Sequence, residues 1–176
     1  MSRTTRRFGQ PHLLGDHAIG LEARAEHDDH LSLKLWLRLL ACSTQVENEV
    51  RQRLRARFDI SLARFDYLAQ LHRHADGLRM STLSRYLMVT GGNVTALTDE
   101  LEREGLVQRD SDPEDRRSWR LRMTSAGRKA FERIASEHEQ WVIELFAGID
   151  AAQKQSLYEG LGRLRVQMAA SQEKAA

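Results

Sequence analysis

One cysteine, Cys42, stands alone in the 176 residues. A single thiol excludes an intramolecular disulfide framework and any cysteine-built zinc site within one chain. No apolar run approaches the roughly 18 residues that a bilayer crossing requires. Arg3, Arg6 and Arg7 near the N-terminus are not followed by the continuous apolar stretch of a secretory signal. A cytoplasmic protein without a membrane partner is therefore expected. Enzyme signatures are absent as well. There is no P-loop and no dinucleotide glycine fingerprint, and His138-Glu139 is followed by Val142 where a zinc-protease helix needs its second histidine. No catalytic residue and no cofactor are expected. The polar first 30 residues hold His12, His17, His27 and His30. Histidines in a polar tail are more often solvated than metal-bound, so no metal site is assigned.

With 41% apolar and 30% charged residues, the chain can bury one ordinary core and is short for two independent domains. Its net charge of +2 conceals an uneven distribution. Between Arg51 and Arg79 seven arginines face three aspartates, and between Gln108 and Lys129 seven basic residues face four acidic ones. Past Lys129 the balance turns slightly acidic. Positive charge therefore gathers in the middle of the sequence, where a polyanion would be met.

Residues 1–30 read as a flexible arm and 31–176 as one domain. Leu35, Trp36, Leu39, Leu40, Val46, Val50, Leu54 and Phe58 recur at three- and four-residue steps, which predicts a long helix near Ser32 to Arg57. Ser61 reads as the N-cap of a second helix burying Phe65, Leu68, Ala69 and Leu71 and ending at Ala75-Asp76-Gly77. A short third helix carries Leu83 and Leu87. Thr90 caps a fourth, with Val94, Leu97 and Leu101 inward and Gly105 closing it. Two strands follow, the second with Trp119, Leu121 and Met123 facing inward and Arg120 and Arg122 facing out. Thr124 caps a fifth helix, and Asp150 with Gln153 forms a capping box for a sixth carrying Leu157, Leu161, Leu164 and Met168.

The stretch from Leu78 to Met123 thus predicts a helix-turn-helix followed by an arginine-tipped hairpin, a shape suited to lie across duplex DNA. The fold class is mainly α with a small β-hairpin wing: a winged helix-turn-helix over about 61–123, flanked by helices at about 31–58 and 124–170. Those flanking helices carry apolar stripes that the central unit cannot cover, which predicts a homodimer. Two reading heads about one helical turn, roughly 34 Å, apart would engage a palindromic site on double-stranded DNA.

Leu83-Ser84 with Leu87, Asn93-Val94-Thr95, Asp99, Leu101, Glu104-Gly105-Leu106-Val107, Arg109, the loop Asp112-Pro113-Glu114-Asp115-Arg116-Arg117, Leu121 and Thr124 to Gly127 together resemble the MarR family of winged-helix regulators. The resemblance spans about Leu31 to Met168. It implies a homodimer joined through its N- and C-terminal helices. It further implies a repressor released from DNA by a small molecule, often a phenolic or aromatic acid. Arg116 would enter the minor groove and Arg117 would tie the loop to an aspartate. Two positions depart from the family pattern: Ala96 stands where arginine is common, and Glu100 where a basic residue is common.

Candidate DNA-binding residues are Arg79, Ser81, Arg85, Thr90, Gly91, Gly92, Asn93, Thr95, Arg116 and Arg117. Gly91 and Gly92 in a first helical turn sacrifice stability for close backbone approach to a phosphate or base edge, or else reflect a loose helix start or tight helix packing. Asn93 can pair with adenine, and Thr95 can meet a phosphate or a thymine methyl. Trp36, Arg38, Tyr67 and His72 are candidates for binding an effector, a small aromatic acid or acyl-CoA, by stacking, charge and hydrogen bonding. The segments Leu35 to Leu40 and Arg64-Phe65-Asp66 resemble a family branch tied to aromatic-acid catabolism. Cys42, spaced with Leu39 and Val46, reads as a buried, inert thiol. The alternatives are an oxidant sensor acting through Cys42 and a winged-helix module for protein contact.

Overall fold

The computed structural model describes residues 31–87, 91–111 and 119–173. The N-terminal arm with its histidines, Thr90, Arg116 and Arg117 lie outside the described residues. The elements run α1 (Leu31–Phe58), α2 (Leu62–Arg73), β1 (Leu78–Arg79), α3 (Met80–Leu87), α4 (Gly91–Arg103), β2 (Val107–Ser111), β3 (Trp119–Met123), α5 (Ser125–Leu145) and α6 (Ala151–Glu173).

Local chemistry sets the helix starts. Ser61 Oγ accepts the Arg64 amide at 3.2 Å, and Thr124 Oγ1 accepts the Gly127 amide at 2.9 Å. Asp150 and Gln153 close a reciprocal box, each side chain accepting the other's amide, at 2.8 and 3.2 Å. Each cap satisfies donors that a helix start leaves unpaired. α1 ends at Asp59, whose φ of 53° lies in the left-handed region that aspartate tolerates better than most residues.

The sheet is antiparallel in the order β1-β3-β2. β2 and β3 pair without a bulge from Val107–Met123 to Ser111–Trp119, while β1 adds Leu78–Leu121 and Arg79–Arg120. β1 is not among the sequence-predicted elements, because a two-residue strand has no periodicity to read. Its presence corrects the reading of the hairpin faces. Leu121 is fully buried beneath β1, but Trp119 lies one residue past the end of β1 and is 52% exposed. Arg120 does not simply face out either, since its Nε is enclosed.

The core is assembled from Val50 and Leu54 of α1, Phe65, Tyr67, Leu68 and Leu71 of α2, Leu83, Val94, Leu101, Val107 and Leu121, with Phe131, Ile134 and Trp141 of α5 against it. Ion pairs from Arg53 to Glu144 and from Arg57 to Glu137, both 2.7 Å, join α1 to α5 on the outside. Between the wing and α5 the backbones touch. Leu106 O accepts the Thr124 amide at 3.0 Å, and a Cβ on Gly127 would come within 2.0 Å of that same oxygen. Only glycine fits there.

Two segments remain outside this core. Leu31, Leu33, Leu35, Trp36 and Leu40 of α1 are exposed, as are Leu157, Tyr158, Leu161, Leu164, Val166 and Met168 of α6. Cys42 belongs to the same uncovered stretch and is exposed, not buried as its spacing with Leu39 and Val46 suggested. A stripe of this size in water is unfavourable by roughly 25 cal/mol for each Å² left uncovered. Replacing Leu161 and Leu164 together by glutamate should therefore convert an associated protein to single chains. Sedimentation velocity reads the outcome, and an unchanged sedimentation coefficient would show that α6 is not the association surface.

Candidate nucleic-acid interface

α4 is amphipathic at its own period. Val94, Thr98 and Leu101 are buried, which leaves Gly91, Gly92, Asn93, Thr95 and Ala96 exposed on the first turns. A Cβ built on Gly91 or Gly92 would meet nothing within 4 Å. Packing among the described residues therefore does not require these glycines, which leaves a loose helix start or close approach from outside. Thr95 Oγ1 donates to Gly91 O at 3.0 Å. With that hydroxyl engaged on its own helix, Thr95 turns its methyl group to any outside contact. On α3, Ser81 and Arg85 are exposed, the latter donating to Thr82 Oγ1 at 3.5 Å, while Arg79 is half-buried in β1.

What holds α4 was not legible in the sequence. From inside, Tyr67 and Thr98 are fully buried with their hydroxyl oxygens 2.7 Å apart, and Thr98 Oγ1 donates onward to Val94 O at 2.7 Å. Thr98 has one proton, so Tyr67 is the donor to Thr98. From one flank, the mostly buried Arg64 of α2 donates to Glu100 at 2.9 Å and forks across both oxygens of Glu104, one of these bonds at 2.7 Å. From the other flank, Arg109 of β2 bridges Asp99 and Glu102. Glu100, anomalous for a helix lying on DNA, is thus an anchor: it faces Arg64, not the open side. The Arg64 guanidinium holds the Glu104 carboxyl below its ordinary value of 4.5.

The four effector candidates do not converge within one chain. Trp36 is 55% exposed and Arg38 is exposed on the same continuous helix. Two positions apart on a helix, they point about 160° away from one another. Trp36 also lies 10 residues, or roughly 15 Å, before Val46, where α1 first packs on the core. Tyr67 is enclosed, its phenol pushed by burial up to about 12, and is corrected here from ligand contact to core. His72 lies half-buried against Phe131, with Glu132 at 3.5 Å from Nε2. A groove of about 1020 Å³ instead opens between the end of α1, the start of α2 and α4. It is lined by Ile60, Leu62, Leu87, Val94 and Leu97, among others, and touches Asn93. Asp66 in this groove is raised chiefly by burial, with Glu47 adding to the shift. Among the described residues no cluster of three or more His, Cys, Asp or Glu could hold a metal ion, and no helix is long and apolar enough to cross a membrane.

A family model described as MarR family matches residues 60–119. The HTH-type transcriptional regulator YdgJ of Bacillus subtilis is 33% identical over 106 residues, which are 60% of this chain and 64% of YdgJ. The match thus spans less than two thirds of that relative. The transcriptional activatory protein BadR of Rhodopseudomonas palustris is 29% identical over 125 residues, 70% of this chain and 71% of BadR. The crystal structure of a MarR family transcriptional regulator from Silicibacter pomeroyi superposes with a TM-score of 0.64 at 31% identity, covering 82% of this chain and 99% of that one.

The Arg64–Glu104 pair sets an acid limit on α4. A carboxyl held below its unfolded value stabilises the fold above that value, and the contribution is lost as pH falls through the folded one. Stability of the parent should fall as pH drops below the ordinary carboxyl value of 4.5, and Arg64→Ala should flatten that limb while weakening DNA binding at neutral pH. Chemical denaturation across pH and a binding isotherm check both. An unaltered acid limb in Arg64→Ala would show that the pair does not brace the helix.

Proposed function

The chain belongs to the MarR family of DNA-binding transcriptional regulators, and we propose that it works as a homodimeric repressor that leaves a palindromic operator when a small aromatic acid or its coenzyme A thioester binds. The observation that carries the DNA-facing part of this reading is the exposed Gly91-Gly92-Asn93 turn. Its glycines meet no packing need among the described residues, and the helix bearing it is braced on both flanks. The dimer reading is supported by the uncovered stripes of α1 and α6. Stable obligate interfaces bury about 2,000 Å² or more of largely apolar surface, and two copies of these stripes are chemically suited to do so. In this arrangement α1 and the helices after Thr124 serve dimerisation, and residues 61–123 serve DNA.

Asn93, Thr95 and the glycine backbone read the major groove, while Arg116 and Arg117 are assigned to the wing contact. Arg79, Ser81, Arg85 and Thr90 hold phosphates. Ala96 removes one side chain that could have reached guanine, so sequence preference rests on Asn93. The effector reading is supported by the exposed Trp36 and Arg38 of α1, a stacking surface and a carboxylate partner. Because the two diverge on one helix, a single ligand meets both only where a second copy completes the site, with His72 as a further polar group. Activation is the second reading of sign, favoured by the match to a protein described as a transcriptional activatory protein. A reporter placed under the operator, with and without the regulator, separates the two.

Asn93→Ala should relax preference at one position in each half-site, because a bidentate base contact discriminates by about 1–3 kcal/mol. Selection of bound duplexes measures this, and an equal loss of affinity on every sequence would make Asn93 a positioning residue. Benzoates, hydroxycinnamates and their thioesters should dissociate the DNA complex in a titration followed by anisotropy, and Arg38→Ala should blunt the response. If no compound acts, or if Arg38→Ala responds like the parent, the effector assignment is overturned and the dimer and operator readings stand on their own tests.

A further inference from the structure

We propose that Trp119 contacts DNA, its indole packing against the sugar-phosphate backbone where the wing meets α3. The argument begins with register. β3 pairs Leu121 with Leu78 and Arg120 with Arg79, and β1 ends there. Continuing the ladder by one residue sets Trp119 opposite Met80, the first residue of α3, with the exposed Ser81 next to it. On its other side Trp119 pairs with Ser111, the last pair before the loop 112–118 that holds Arg116 and Arg117. Trp119 shares a strand face with Leu121, which is completely buried, yet is itself 52% exposed because the core does not reach so far. A large apolar ring therefore stands beside the first turn of α3, which the MarR reading sets on the DNA, and two residues after Arg117 in the sequence.

The chemistry at that place favours a nucleic-acid backbone over solvent. Deoxyribose offers an apolar face to an indole, and the adjacent phosphate accepts an indole N–H, which is a donor only. Aromatic and apolar side chains inserted beside a groove are a recurrent means of adding contact area without charge. Arginine contacts with phosphate release counterions and steepen the salt dependence of binding, whereas packing an uncharged ring does not. The structure thus assigns Trp119 a part of the binding that is insensitive to salt, distinct from that of the arginines around it.

The inference rests on the DNA-binding reading, and the test separates the two. A duplex recovered by in vitro selection on the full-length parent is the probe, and failure of the parent to select any duplex overturns the DNA-binding reading itself. Given a bound duplex, Trp119→Ala should weaken binding by about 5- to 30-fold with an unchanged slope of log Kd against log salt concentration. Trp119→Phe should lie within about threefold of the parent, because it keeps the ring and loses only the N–H. Circular dichroism establishes that both variants are folded. In the Trp36→Phe, Trp141→Phe variant, Trp119 is the sole indole of the original three, and its emission should shift on titration with the duplex. The proposal is overturned if Trp119→Ala binds within twofold of the parent, or if its loss of affinity comes with a shallower salt slope. It is equally overturned if the lone indole responds to protein dilution and not to DNA, which would make it a contact between copies.

Discussion

The Tyr67–Thr98 hydrogen bond is the contact on which the geometry of α4 depends. Both hydroxyls are fully buried, and an unpaired hydroxyl there would cost about 1–3 kcal/mol. The bond therefore selects one rotation of α4 about its axis, the rotation that turns Val94 and Leu101 inward and Asn93 outward. Since neither partner is charged near neutral pH, this selection is indifferent to salt. The arginine braces then prevent the correctly rotated helix from rolling. Arg64 grips one flank through Glu100 and Glu104, and Arg109 grips the other through Asp99 and Glu102. Three carboxylates on α4 and Glu104 just past its end would be a liability to the proposed DNA contact if they faced it. Each is turned sideways onto an arginine, which leaves the leading turn nearly free of side-chain charge.

That arrangement accounts for a composition that looks ill-suited to DNA. The net charge of +2 is small because many arginines are balanced by carboxylates within the fold. Arg51, Arg53, Arg55, Arg57, Arg64 and Arg109 all have acidic partners. Counting charges along the chain assigns the whole central run to nucleic acid, whereas the fold uses a large part of it as internal bracing. The arginines proposed to meet DNA are fewer: Arg79, Arg85 and the wing's Arg116 and Arg117.

Local signals were readable and distant ones were not. The Ser61, Thr124 and Asp150–Gln153 caps act across three residues, so their spacing carried the information, and the helices they open fall where predicted. The winged-helix architecture and its family were legible in the wing motif and the apolar periods. The Arg64 brace spans 36 to 40 residues, and no pattern within α2 distinguishes Arg64 from a solvated arginine. Tyr67 was misassigned for a related reason: its ring falls between the apolar steps used to define the buried face, and only the hydroxyl of Thr98, 31 residues away, makes burial tolerable. Trp119 was misread because alternation gives the side of a strand but not where the core beneath it stops. Cys42 sits on a helix whose apolar period continues past the end of its own core.

The contact between Gly127 and Leu106 has a mechanical consequence. α5 begins against the carbonyl that precedes β2, with no side chain between them to absorb a displacement. The hairpin beyond is an unbulged ladder of five pairs, roughly 17 Å long. β1 pairs with the same ladder at Leu121 and Arg120, so the three strands tilt as one sheet: a tilt of about 5° about that carbonyl carries the far end about 1.5 Å, beyond the distance tolerance of a hydrogen bond. A shift of α5 too small to disturb the core is thus magnified at the wing, and a one-atom side chain at position 127 is where the lever has its fulcrum.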